Sequence, residues 1–359
     1  MITRSKTIVS RALGHWGRQP SRYAVTSMPS SRRLQSTTAT SLDYPSETSF
    51  PPSMASTFSG KTGTVEPIRP SAKFTTMPPN YNATVADLST FSLPVEVRGD
   101  EKDIALGKAM IAAWRKDGIL QVSMDQYSRK LAAEAFAASQ RYFGLSPAEK
   151  QTCVDDRNFA GYIASGEEIT DGKADYSEIF TVVKDLPQTD KRVQAQWPCH
   201  GPVPWPETLP EFQDLTQRYM DNLGSAGERL LQLIALGLDL PSKDALTKYT
   251  RDGWHHMRVL RFPALGTENG KGETGRGIGS HTDYGLLVIA AQDHVGGLFI
   301  RPPYQDEKFA NWEKSNAGMN EKDDKWTYVE PQEGVFTVFP GNSCCSRLNP
   351  SSADRHQAT

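Results

Sequence analysis

No run of apolar residues in this 359-residue chain approaches the roughly 20 needed for a membrane-spanning helix, so no membrane partner is expected. Neither sign of charge is in excess: the formal net charge is −2, which argues against a nucleic-acid surface, since that needs a basic face. Small molecules remain as the expected partners. Cysteine is scarce, with Cys153, Cys199, Cys344 and Cys345 and no C-x-x-C pair, so neither a zinc cluster nor a dithiol redox motif is indicated. Adjacent Cys344 and Cys345 seldom point at one ion without special backbone geometry. No internal repeat is apparent, and the sequence leaves the oligomeric state open, with a monomer taken as the expectation.

Acidic residues are missing altogether before Asp43, where Arg4, Lys6, Arg11, Arg18, Arg22, Arg32 and Arg33 stand among many Ser and Thr. Residues 1–42 therefore have the composition of a mitochondrial transit peptide or of a disordered basic tail, and a cytoplasmic or mitochondrial location is expected. Residues 43–87 carry Pro51-Pro52 and Pro78-Pro79 and no sustained apolar period, the pattern of a disordered linker.

With 37% hydrophobic and 23% charged residues, the remainder has a globular balance. Ile104, Met110, Ile111 and Trp114 predict a helix over 103–116 ended by Gly118; Ile119–Val122 predicts a strand, and 126–143 a second helix. A third runs from Phe212 to Leu236 on the stripe Leu215, Tyr219, Leu223, Ala226, Leu230 and Ile234, with Gly237 expected to end it in a left-handed conformation. Beyond it the period becomes two: Met257–Phe262, Leu286–Gln292, Gly297–Arg301, Trp326–Val329 and Val335–Phe339 read as strands. The expected fold class is α+β, with an N-terminal helical and strand region over 88–240 and a jelly-roll core over 250–341.

Chemistry concentrates in Gly277-Ile-Gly-Ser-His281-Thr-Asp283-Tyr284-Gly285. Side chains two apart on an extended segment point the same way, so His281 and Asp283 can face one ion. An imidazole and a carboxylate are two thirds of the facial triad of non-haem Fe(II) oxygenases. Alone, an H-x-D tripeptide is more often a surface turn. Adjacent His255 and His256 face opposite ways and cannot share a metal, and His200 lies in a Pro- and Trp-rich loop stiff enough to wall a pocket.

Context resolves the ambiguity. Gly161-Tyr-Ile-Ala-Ser-Gly-Glu-Glu-Ile-Thr170, Glu178-Ile-Phe-Thr-Val182, Trp197-Pro-Cys-His-Gly-Pro-Val-Pro-Trp-Pro206, Arg251-Asp-Gly-Trp-His-His-Met-Arg-Val-Leu-Arg-Phe-Pro263 and His281-Thr-Asp-Tyr-Gly-Leu-Leu-Val-Ile-Ala-Ala-Gln-Asp293 resemble the ethylene-forming enzymes, a narrow group within the isopenicillin-N-synthase-like Fe(II)/2-oxoglutarate dioxygenases. The resemblance spans residues 88–341. It implies a double-stranded β-helix, Fe(II), and 2-oxoglutarate and O2 as cosubstrates, with His281 and Asp283 as iron ligands and no catalytic residue beyond the metal centre. It further implies that Arg258, with Leu260, lies in the cosubstrate pocket, and that Glu168, Thr170, Arg258 and Tyr284 contact an L-arginine substrate. An arginine fork suits a carboxylate and a carboxylate suits a guanidinium. Without the resemblance, Arg258 would read as an edge-strand surface residue and the Glu168 loop as solvent-exposed.

After Gly341 the resemblance stops. Family members continue with a Thr-Pro-His segment and an arginine that clamps 2-oxoglutarate, whereas residues 342–359 are an atypical polar tail, as a retained intron, a frameshift or a truncated gene model would give, with the C-terminal part of the barrel missing. His356 follows Asp283 at a separation suited to the third ligand, but its polar surroundings argue against a rigid metal site. The expected activity is oxidative decarboxylation of 2-oxoglutarate to ethylene, or to succinate with L-arginine hydroxylation. The alternatives are a hydroxylase of another small metabolite and a catalytically dead fragment.

Overall fold

The computed structural model describes residues 84–155, 159–197, 200–250, 255–263, 277–283, 285–302 and 325–341, together with the backbone of residues 4–6. Tyr284, Cys199, Cys344, Cys345 and His356 lie outside the described residues, as does nearly all of the expected transit and linker region.

Three basic-segment residues, Arg4–Lys6, form strand β1. Strands β2 (Thr84–Val85) and β3 (Thr90–Ser92) lead into helix α1 (Glu101–Asp117). The Asp100 carboxylate caps α1 by accepting from the amides of Lys102 and Asp103, a contact worth about 1 kcal/mol. Gly118, at φ 76°, ends it with its N–H on the Trp114 carbonyl. Strand β4 (Leu120–Ser123) follows, then α2 (Gln126–Phe143), whose bounds match the sequence reading, and the short α3 (Pro147–Gln151) with a Ser146–Glu149 capping box.

Next come β5 (Val154–Asp155), β6 (Ala160–Ile163), the hairpin of β7 (Ile169–Thr170) and β8 (Lys173–Ala174), β9 (Glu178–Val182) and the four-residue α4 (Lys191–Gln194). The long α5 (Pro210–Gly237) buries Phe212, Tyr219, Leu223, Leu230 and Ile234 along one stripe. The final described strands are β10 (Met257–Phe262), β11 (Leu287–Ala290), β12 (Leu298–Ile300), β13 (Thr327–Val329) and β14 (Val335–Pro340).

Gly237 does not take the left-handed conformation expected of it; α5 runs through it, and the positive φ falls two residues later, on Asp239. Its reason for being glycine is a close approach. A Cβ on Gly237 would overlap the backbone of Gly107, and one on Gly107 would overlap the Leu233 carbonyl, so α1 and α5 touch backbone to backbone at this point.

Strands from both halves of the chain share sheets, so helices and strands are interleaved rather than sequential. One sheet runs β1-β10-β9-β6-β5, a second β11-β14-β4-β3, and a third β12-β13-β2; β7 and β8 pair only with each other among the described residues. Pairing is antiparallel except for β3 with β4 and β13 with β2. The last of these draws β2, from within the expected linker, into the fold. The helices pack on these sheets around Tyr142, Phe180 and Phe212, whose rings lie 4.6 to 5.0 Å apart, and the Trp114 indole donates to the Val338 carbonyl of β14. Among the described residues no helix is long and apolar enough to cross a membrane.

Candidate active site

Period two divides β10 into two faces. Met257 and Val259 join the helix-side core, while Leu260 and Phe262 pack in a separate cluster with Ile179, Ile163 and Ile278. Arg261 therefore projects toward the helices and Arg258 toward the second cluster. The register with β9, Arg261 opposite Glu178 and Leu260 opposite Ile179, carries the same division across the sheet.

On the second face Arg258 is buried, 5% exposed, and its guanidinium donates to Glu168 Oε1 at 2.5 Å. These two residues, assigned separate roles by the sequence, are paired with each other. Glu168 reaches this position from the β7–β8 hairpin, which closes on Asp171 and Gly172 with φ of 52° and 71°, the double positive φ of a two-residue Asp-Gly turn. Thr170 is 1% exposed and turns its hydroxyl onto the Asp175 carboxylate. Leu260 is buried between Ile179 of β9 and Ile278 of the metal loop, in the same apolar cluster.

The loop between β10 and β11 brings the two expected metal ligands together, with His281 Nε2 3.8 Å from Asp283 Oδ1. With its proton on Nδ1, the imidazole donates to the Gly279 carbonyl at 2.9 Å and presents the Nε2 lone pair on the Asp283 side. The donor types suit a divalent cation, although two bonds of about 2.1 Å would meet across that gap at about 130°, so the pair would draw together to reach the roughly 90° of a facial site; a proton on Nδ1 is the arrangement a metal-bound histidine uses. Among the described residues no third His, Cys, Asp or Glu joins them. His256 stands just before β10, and burial, helped by Arg258 and His255, pushes its imidazole down to about 3.

Two groups that sequence reasoning passed over organise the surroundings. Asp185 accepts from the Val203 amide at 2.9 Å, the Trp205 indole at 2.7 Å and Gln217 at 2.9 Å, pinning the Pro- and Trp-rich loop to α5, while His200 packs edge-on against Trp197. Asp175, fully buried, accepts from the Gly279 amide at 3.1 Å. The Asp171-Gly172 dipeptide was the available signal for that hairpin. At the other end of the metal loop, Gly341 donates to the Leu286 carbonyl at 3.1 Å, and a Cβ on it would overlap the Gly285 carbonyl.

Comparison with known proteins places this arrangement. The family described as non-haem dioxygenase in morphine synthesis N-terminal matches residues 84–208. A 2-oxoglutarate-dependent ethylene/succinate-forming enzyme of Ralstonia nicotianae is 50% identical over 261 residues, covering 72% of this chain and 74% of that one. The chain is a 2-oxoglutarate- and Fe(II)-dependent dioxygenase. A homoarginine-6-hydroxylase of Arabidopsis thaliana is 31% identical to this dioxygenase over 214 residues, 58% of this chain and 64% of that one. In fold, the dioxygenase is similar to a putative 2OG-Fe(II) oxygenase family protein from Caulobacter crescentus, with a TM-score of 0.57 at 18% identity over 74% of this chain and 78% of that one. It is also similar to Neurospora crassa T7H in complex with alpha-KG, at 0.56 and 18% over 77% and 78%. Those neighbours share the jelly-roll fold. Fe(II) is the dioxygenase's cofactor, and 2-oxoglutarate and O2 are its cosubstrates.

Proposed function

We propose that this dioxygenase breaks 2-oxoglutarate down to ethylene and carbon dioxide, and in a second reaction couples its decarboxylation to succinate with hydroxylation of L-arginine. The observation that carries the arginine assignment is the Glu168 carboxylate, which already holds a guanidinium, that of Arg258, on the site-facing side of β10. The names of two relatives point the same way, one an ethylene/succinate-forming enzyme and another a homoarginine hydroxylase.

In this reading His281 and Asp283 hold Fe(II), which supplies O2 activation and redox chemistry when bound. Arg258 receives a carboxylate through its planar fork, and Leu260 forms part of the apolar wall beside it. Glu168 receives the substrate guanidinium, with Thr170 on the same hairpin and Tyr284 next to the ligand Asp283. Because Arg258 and Glu168 are paired to each other, ligand binding exchanges partners: the internal ion pair opens, and each half takes an external partner of the same chemistry. No buried charge is left without a counter-charge at the end of that exchange, which keeps its cost low.

The test is to supply the full chain with Fe(II), 2-oxoglutarate, O2 and L-arginine, then measure headspace ethylene, succinate and oxidised arginine. Both product sets are expected, with arginine oxidation matching succinate. Succinate formed with some other amine and not with L-arginine would reassign the substrate, and no Fe(II)-dependent consumption of 2-oxoglutarate would overturn the reading.

A further inference from the structure

Asp175 is fully buried and takes no part in the chemistry proposed above. It lies between β8 and β9, and its carboxylate joins its own hairpin to a segment 104 residues further along the chain: Oδ2 accepts from the Thr170 hydroxyl and Oδ1 from the Gly279 amide. Its own backbone closes the preceding loop, the amide donating to the Glu168 carbonyl at 2.9 Å and the carbonyl accepting from Gly166 at 2.9 Å. Gly279 in turn accepts through its carbonyl from His281 Nδ1. A continuous series of hydrogen bonds thus runs from the Glu168–Thr170 hairpin through Asp175 and Gly279 to the imidazole.

A buried carboxylate is held where its donors are, since leaving them uncompensated is costly. Groups that fix the second nitrogen of a metal-bound histidine govern its orientation. We propose that Asp175 is a positioning residue that ties the substrate hairpin to the Gly279–His281 turn, so that the seating of the hairpin sets the direction in which Nε2 points. The metal half of this inference rests on the reading of His281 as a ligand; the tie itself does not.

The experiment compares the full chain with Asp175→Ala, Asp175→Asn and Thr170→Val. Amide hydrogen exchange is followed on the metal-free protein, and affinity for cobalt(II) is read from its visible absorption. In Asp175→Ala, exchange quickens in peptides covering 166–175 and 277–283 while α1 and β11 keep wild-type rates, and cobalt(II) binds ~10-fold more weakly, the low end of the effect of losing a ligand's direct partner, because the Gly279 carbonyl remains. Asp175→Asn, which retains a carbonyl acceptor for the Gly279 amide, restores most of both. Thr170→Val gives the same pattern in smaller degree, and it carries the test if the alanine chain fails to fold. Unchanged exchange over 277–283 in Asp175→Ala, or an equal rise throughout β6, β9 and β10 without recovery in the asparagine variant, would overturn the proposal. If the wild-type chain binds no cobalt(II) while the exchange pattern holds, the metal reading falls and the tie stands.

Discussion

Arg258 and Arg261 stand three residues apart on β10, on opposite faces of the strand, and their surroundings differ in kind. Arg261 faces the helices, where Glu178 Oε2 accepts from it at 2.7 Å and the Phe143 carbonyl at 3.0 Å. Glu178 Oε1 meanwhile accepts from Lys150 at 2.5 Å and from Tyr162 at 2.6 Å. Burial and that bond to Glu178 push the Tyr162 phenol well up. Arg258 faces the metal loop and meets a carboxylate on a two-stranded hairpin. The first cluster has several mutually supporting partners and one arrangement. The second joins a cation to an anion, each of a type that an external ligand can replace. On the proposed function, the redundantly satisfied group holds the fold together and the Arg258–Glu168 pair is the one that exchanges with ligands.

The strongest test of that contrast is Glu178→Ala. It removes the carboxylate from buried Lys150 and half-buried Arg261 and is expected to lower stability by about 3 kcal/mol, read by urea denaturation. Acid should act next most strongly, beside Arg258. The folded-state value of His256 is depressed to about 3 from an ordinary 6.5, so the unfolded chain binds the proton more readily. Stability is then fully present above pH 6.5 and falls as the pH drops toward 3. The loss between pH 7 and pH 5 should be about 2 kcal/mol, and His256→Gln should flatten that part of the stability profile.

Replacing the exchangeable pair as a unit, with Arg258→Met and Glu168→Leu together, should change stability by less than about 1 kcal/mol or raise it. It should also abolish 2-oxoglutarate-dependent turnover. A stability loss as large as that of Glu178→Ala would erase the distinction between the two faces. The most local effect, with turnover retained, is expected from Gly172→Ala. A Cβ there meets nothing within 4 Å, so the cost is the backbone conformation alone, about 1 kcal/mol, seen as faster hydrogen exchange confined to the hairpin.

Much of the helical framework was legible in the sequence, because local signals specify it: α2 has the bounds its apolar spacing gave, and Gly118 ends α1 as read. The strands β10 to β14 were found for the same reason. Strand β9 was quoted as a motif and not as a strand, since all five of its residues are buried, including Glu178 and Thr181, and a strand covered on both faces shows no polar alternation. Gly237 was misread because its demand for a small residue comes from Gly107, across a helix crossing that sequence periodicity does not reveal. Within the site, the approach of His281 to Asp283 was legible from their spacing of two. The pairing of Arg258 with Glu168, 90 residues away, and the bridge from Asp175 to Gly279 depend on tertiary structure and left no local trace.

The loop that carries His281 and Asp283 is held at both ends by distant parts of the chain, by Asp175 at Gly279 and by Gly341 at Gly285 and Leu286. Its contour is therefore fixed like a string between two pegs. Inserting or deleting a single residue would shift His281 and Asp283 relative to one peg or the other, so length there is constrained as well as residue identity.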